Sequence, residues 1–182
     1  MLVRFTVGNF LSFDTNQSLS LLADADLGVG ERIFTVDSVH LLKFGAIFGA
    51  NAAGKSNVIK AMAFAHSLIK QGTEAIRNPE VYCRLKAGNK NKPSYFEFEI
   101  ALGASLYAYG FEVIIAEGVI TEEWLVRLTK EEEQTLFARN TQEKTFEYDT
   151  SLSDEHIGSQ LEAIKAAGNM LFLQGAVLPA LL

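Results

Sequence analysis

The sequence predicts an α/β fold in which a strand, a glycine-rich loop and a helix form a core, followed by an antiparallel β-lobe. Three observations support this prediction: an apolar run that stops at Gly49, helical spacing of apolar residues from Lys55 to Lys70, and alternating patterns from Ser94 to Leu128. At 182 residues the chain suits one well-buried domain. We divide it into a core (1–75), a β-lobe (94–150) and a C-terminal helical segment (155–182).

Short strands are expected before the loop. Residues 2–7 alternate between apolar and polar, and Gly8-Asn9 then supplies a turn. Two further short strands are predicted over residues 18–22 and 33–36. The mostly apolar run from His40 to Phe48 is typical of a buried strand covered on both faces, which leads straight into the loop.

The helix and the β-lobe follow from their periodicities. Apolar residues recur at helical spacing after Lys55, and Gly72 is placed to end the helix. Alternation then predicts three antiparallel strands, the third of which contains Trp124, a residue expected to pack in the β-lobe. A further hairpin is indicated over 135–139 and 145–148, and a helix over 155–167.

Composition excludes several classes of protein. The longest apolar stretch, 170–182, is shorter than the roughly 20 residues that span a bilayer. The N-terminus lacks the pattern of a secretory signal and Cys83 stands alone, so we expect a cytoplasmic protein. A net charge of −6 means that any DNA contact must be local or supplied by other regions or partners. The lysines of segment 86–93 indicate a solvated loop.

The loop Gly49-Ala50-Asn51-Ala52-Ala53-Gly54-Lys55-Ser56 follows the pattern glycine, four residues, glycine, lysine, serine. Glycines and small alanines let the backbone curl around phosphate oxygens, so that N–H groups and the first helical turn point at negative charge. Lys55 supplies a cation for the β- and γ-phosphates, and the Ser56 hydroxyl a ligand for Mg²⁺. The sequence therefore predicts a P-loop nucleoside triphosphatase core that binds ATP with Mg²⁺.

Absences narrow the choice of nucleotide. No Asn-Lys-x-Asp pattern is present to select guanine, because the nearest segment, 89–94, lacks the aspartate. ATP is therefore favoured over GTP. The arginines that could form the lid of a small-molecule kinase are scattered along the chain, so the sequence does not support that class.

Two motifs resemble those of the ATP-binding-cassette-like ATPases of the SMC, RecF and OLD type. The first is Val7-Gly8-Asn9-Phe10-Leu11-Ser12-Phe13, in which an Asn-Phe pair precedes a small polar residue and an aromatic residue. The second is the loop itself, with Asn51 and Asn57 as in that group. The resemblance implies an ATPase head that dimerises when ATP binds, with roles in DNA repair or phage defence.

The chain also departs from that group. Leu11 stands where many relatives have a basic residue, so no cationic nucleotide contact is expected there. A Leu-Ser-Gly-Gly signature loop, an apolar strand that ends in Asp-Glu and a switch histidine are all missing. Glu117 follows Ala116 instead of the magnesium-ordering aspartate, and we interpret it as a turn residue. We expect an incomplete head that binds ATP without the hydrolytic residues, truncated near an apolar C-terminus whose residues lack cover. The alternative is a terminal helix docked on its own core.

Three functional hypotheses remain. The first is the ATP-binding part of an SMC/RecF/OLD-like ATPase that works as a homodimer or with a complementing ATPase half. The second is a non-hydrolysing nucleotide-binding module completed by a partner protein, and the third is a small-molecule phosphotransferase. No zinc site is predicted from the separated histidines, and Glu131-Glu132-Glu133 is interpreted as a hairpin tip. No pattern selects the glutamine that would contact Mg²⁺ among Gln71, Gln134, Gln142 and Gln160.

Overall fold

The computed structural model describes residues 1–24, 32–36, 38–129, 133–149 and 168–175. One helix, α1, spans Lys55–Gln71. The strands are β1 Leu2–Gly8, β2 Gln17–Ser20, β3 Ile33–Val36, β4 Val39–Leu42, β5 Ser94–Leu102, β6 Ser105–Ile114, β7 Val119–Leu128, β8 Glu133–Asn140 and β9 Thr145–Tyr148. Short 3₁₀ turns cover Gly72–Ala75, Ala87–Asn91 and Phe172–Gly175.

Seven strands form one antiparallel sheet in the order β2-β1-β5-β6-β7-β8-β9. The predicted meander is confirmed as β5 to β7, and the predicted additional hairpin as β8 and β9. Because β1 pairs with both β2 and β5, the boundary between the predicted core and β-lobe runs inside this sheet. The β3-β4 hairpin joins the edge through the bridge between Leu22 and Leu41.

Helix α1 covers one face of the sheet, which carries the main apolar core. Its small or branched residues Ala61, Ala65 and Leu68 are completely buried against that face. The helix ends as predicted at Gly72, which has φ of 63° and therefore suits a residue without a Cβ. The strand residues of this core include Phe5, Val7, Phe96, Phe111, Ile120 and Leu125.

The opposite face of the sheet is polar and acidic. Glu112 lies directly across from Glu122 in the β6-β7 pair. Trp124 lies over Gly110 on the same face, and its indole Nε1 donates to Glu97 Oε2 at 2.9 Å. A concavity of about 360 Å³ lies over β7 to β9 on this side. This face is therefore far more negative than the face beneath α1.

The predicted strand from His40 to Phe48 is wrong over most of its length. Strand β4 ends at Leu42, and Phe44 and Phe48 are 80% and 90% exposed. Within the described ranges, no backbone hydrogen bond reaches residues 44–48. A strand covered on both faces needs neighbours at both edges, and an apolar run alone does not show whether the chain supplies them.

The C-terminal segment behaves differently from the expectation that its apolar residues lack cover. Leu171 and Phe172 are each 1% exposed, and the Phe172 ring stacks on Phe137 with a centroid distance of 4.9 Å. The expectation is wrong for these residues because the sheet and the end of α1 cover them. The predicted helix over 155–167, with residues 176–182, lies outside the described residues.

In the described part of the chain, no helix is both long and apolar enough to cross a bilayer.

Candidate functional site

The glycine-rich loop is an exposed bend that connects residue 48 directly to α1. Ala52 has φ of 64° and Gly54 has φ of 87°, so two of its residues are left-handed. The conformation suits Gly54 but is strained for Ala52, because an L-residue places its Cβ near the following carbonyl oxygen. The shape of the loop therefore needs support beyond the local preferences of its residues.

The N-terminus of α1 is open toward this loop. Gly54 is its N-cap residue, and in the described part of the chain no side chain caps the first turn. The first turn carries no acidic residue of its own. The orphan N–H groups and the positive end of the helix dipole are thus available to an anion.

Lys55 lies across the loop. Its Nζ donates to the carbonyl oxygens of Gly49 and Ala50, both at 2.6 Å. The adjacent Ser56 is exposed, as are Gly49 to Ala53. The structure thus brings together the ammonium, the hydroxyl and the helix N-terminus that the sequence motif predicts.

Asn9 of the Asn-Phe motif ties the N-terminal turn to the chain before β5. It is buried with φ of 48°, and its side-chain amide donates to the carbonyl oxygens of Asn89 and Lys92, both at 2.9 Å. The Ser94 hydroxyl donates a hydrogen bond to the backbone oxygen of Asn9 at 2.6 Å. A residue with αL tolerance and a side-chain amide is well suited to this position.

The rest of the motif connects this turn with α1 and the loop. Phe10 packs between Phe64 of α1 and Phe96 of β5, with centroid distances of 5.0 and 5.4 Å. Leu11 packs against the apolar core. Ser12 reaches the loop, and its Oγ accepts a hydrogen bond from Asn57 Nδ2 at 2.9 Å.

A buried polar cluster beneath the sheet was missed by sequence reasoning. Glu123 Oε1 accepts from the Tyr109 hydroxyl at 2.6 Å and from the Phe172 backbone N–H at 2.7 Å. Its Oε2 accepts from Arg139 Nε at 2.8 Å, and Arg139 also donates to the Met170 carbonyl. Burial raises the pKa of the Glu123 carboxyl, while Arg139 opposes that shift. The cluster fastens the C-terminal segment to β6, β7 and β8.

The other candidate residues that the structure describes belong to a turn, a strand and a helix. Glu117 is confirmed in a turn, with its N–H bonded to the Ile114 carbonyl at 3.1 Å. His40 bonds to Thr35, and His66 is exposed on α1. Among the described residues no group of three metal-ligating side chains occurs. His156, Gln160, Glu131 and Glu132 lie outside the described residues.

The candidate glutamines are not gathered at the loop. Gln71 ends α1 at the terminus opposite the loop, and Gln134 donates to Asp149 Oδ2 at 2.6 Å. Gln142 is exposed in the turn between β8 and β9. The predicted basic loop is confirmed as solvated, and its Lys86 pairs with Asp14 at 2.6 Å.

The comparison with known families identifies the class of the chain. A family model described as "AAA domain, putative AbiEii toxin, Type IV TA system" matches residues 44–167. The chain belongs to this family, and thus to the AAA-type, ATPase-like class of nucleotide-binding domains. No curated protein matches it.

Proposed function

We propose that this chain is the ATP-binding part of an SMC/RecF/OLD-like ATPase, whose heads associate when ATP binds, in DNA repair or phage defence. The observation that carries the proposal is the open N-terminus of α1 behind the Gly49–Ser56 loop, with Lys55 folded across the loop. The two motifs that resemble this group also lie in direct contact through Ser12 and Asn57.

The residues of the loop suit Mg-ATP. The N–H groups of the loop and of the first helical turn would bind phosphate oxygens, and the small residues Ala50, Ala52 and Ala53 would allow their close approach. Phosphate would compete with the two carbonyl oxygens for the Lys55 ammonium, and the exposed Ser56 hydroxyl would bind Mg²⁺. The cytoplasm contains ATP, the ligand proposed for the loop. Its reducing conditions also suit Cys83, which is free and buried.

The segment before the loop supports completion of the site by further strands. Phe44, Ile47 and Phe48 are exposed on a stretch that, within the described ranges, has no backbone hydrogen-bond partner. An apolar stretch of this kind gains free energy when another strand pairs with it and covers it. The partner in our proposal is a second head or a complementing ATPase half.

Contacts with DNA are assigned to other regions or partners. The acidic outer face of the sheet, with Glu97, Glu99, Glu112 and Glu122, would repel a phosphate backbone. The net charge of −6 has the same effect at long range. The proposal therefore places the DNA-facing surface outside this sheet.

The second candidate is a non-hydrolysing nucleotide-binding module completed by a partner protein. The specific observation in its favour is that the sequence lacks both a Leu-Ser-Gly-Gly signature and an apolar strand ending in Asp-Glu. The two candidates differ in what the completed assembly does with ATP, and they share the same loop.

The test is titration calorimetry with Mg-ATP and, in parallel, with ATP and a chelator. Lys55→Ala should abolish binding while leaving the unfolding transition unchanged, since Lys55 is a surface residue bonded only to the loop among the described residues. Lys60→Ala, an exposed lysine on the next turn of α1, is the matched control and should bind as the wild type does. Equal affinity of the Lys55→Ala variant and the wild type would refute the proposal.

A further inference from the structure

The junction between the loop and α1 is held from outside by one residue of the N-terminal turn. Asn57 lies in the first turn of α1, where its backbone N–H bonds to the Gly54 carbonyl at 2.8 Å. Its side-chain amide donates to Ser12 Oγ at 2.9 Å. In the described part of the chain, this is the hydrogen bond that reaches residues 49–57 from beyond the loop and its helix.

Gly54 is a second point at which the loop closely approaches Ser12. A Cβ at Gly54 would lie 3.0 Å from Ser12 Oγ, so the glycine leaves room for the hydroxyl as well as adopting a left-handed φ. Ser12 thus lies beside the N-cap residue and accepts a hydrogen bond from the third residue of the helix. Both contacts lie at the helix end where the orphan N–H groups point.

Ser12 itself is held rigidly although its side chain is exposed. Phe10 and Phe13 exchange backbone hydrogen bonds at 3.0 and 2.8 Å, which closes the turn around it. Asn9 fastens the start of this turn, and Phe10 buries its ring between α1 and β5. A rigid support of this kind can hold a strained neighbour in place.

We infer that Ser12 is a positioning residue for nucleotide binding, which holds the strained loop and the first turn of α1 through Asn57 in the conformation that accepts phosphate. This inference rests on the proposed function. Loss of the Ser12 hydroxyl releases the Asn57 amide to solvent and lets the strained residue Ala52 relax. The loop must then be ordered by the ligand, at a cost in affinity.

The experiment measures Mg-ATP affinity by calorimetry in a double-mutant cycle. Ser12→Ala should weaken binding by about three- to tenfold, and Ser12→Thr, which keeps the hydroxyl, should restore it. Asn57→Ala should also weaken binding. The double variant should bind Mg-ATP no less tightly than whichever single variant has the lower affinity. Ser67→Ala is the control, because this serine on the same helix bonds only to the Ala63 carbonyl, at 2.9 Å, among the described residues.

A second readout needs no nucleotide. The side-chain amide resonances of Asn57 in the free protein should shift in Ser12→Ala and return in Ser12→Thr. Wild-type affinity in Ser12→Ala, or fully additive losses in the double variant, would overturn the inference while Lys55→Ala still abolished binding. If the wild type does not bind Mg-ATP, the proposed function fails and this inference fails with it, even where the Asn57 resonances shift.

Discussion

Glu123 and Arg139 form an ion pair at 2.8 Å in which both side chains are completely shielded from solvent. The pair lies on neighbouring strands of the sheet, under the segment that contains Leu171 and Phe172. Tyr109 and two backbone groups of the C-terminal segment also hydrogen-bond to the two charged groups. A buried pair is tolerated only when its polar atoms are satisfied in this way.

Removal of one partner should therefore be severe. Arg139→Met leaves the Glu123 carboxylate buried without its cation, and we expect the free energy of unfolding to fall by about 3–5 kcal/mol. Combining it with Glu123→Leu should recover part of the loss, because a buried apolar pair carries no desolvation cost, although Tyr109 and Phe172 lose their acceptor. Urea unfolding of the single and double variants would measure these changes.

The exposed pair of Arg4 and Glu99 provides the contrast. Its side chains are separated by 3.2 Å, but Arg4 is 39% exposed. Arg4→Met should lower stability by no more than about 1 kcal/mol. A loss as large as that of Arg139→Met would contradict the role that we assign to burial.

The carboxyl pair on the outer face should make stability depend on pH. Burial raises the pKa of Glu112, and the facing Glu122 carboxylate raises it further. The folded state thus binds a proton that the unfolded state has released, and stability falls as pH rises from the ordinary glutamate range through the raised pKa. Glu112→Gln should be more stable relative to the wild type at about pH 7 than at about pH 4. Urea midpoints at both pH values test this, and equal differences would refute it.

Gly110 should be intolerant of any side chain. A Cβ there would lie 2.3 Å from Trp124 Cζ2, so Gly110→Ala must displace the indole and break its bond to Glu97. We expect a loss of about 1–3 kcal/mol in stability and a red shift in emission from Trp124, the only tryptophan in the chain. Gly88→Ala, where no atom lies within 4 Å of the new Cβ, should leave the spectrum unchanged. An unshifted spectrum in Gly110→Ala would argue against the packing of Trp124.

The isolated chain should turn over almost no ATP. Its sequence lacks the carboxylate strand and signature loop that activate water and close on the γ-phosphate in the ATPases that it resembles. Phosphate release should match that of Lys55→Ala. Steady hydrolysis by the wild type that disappears in Lys55→Ala would contradict an incomplete site.

Local patterns predicted the elements that local chemistry determines. The helix over 55–70, its end at Gly72 and the meander strands follow from periodicity and a left-handed glycine, and all are confirmed. The strand predicted over the residues from Phe44 to Phe48 is absent, because a strand depends on neighbouring strands that its own sequence does not specify.

The face that each residue of β7 presents was also hard to predict. Trp124 belongs to the apolar alternation with Val126 and Leu128, yet it lies on the outer face, whereas Glu123 and Leu125 face α1. The buried glutamate is compensated by Arg139 from another strand, and no local signal announces that partner. For the same reason the sequence placed Ser12 in a motif but did not predict its contact with Asn57, which joins positions 45 residues apart.

The placement of β1 between β2 and β5 has a consequence for the order of folding. Strand β5 begins at Ser94, so the N-terminal turn obtains its neighbour on that side only after residues far along the chain have paired. Pairings of such long sequence separation form slowly because a large loop must close first. A short peptide can reproduce the eight residues of the glycine-rich loop, Gly49–Ser56. The N-terminal turn and the sheet that support this loop come from both halves of the chain, and they are completed late in folding.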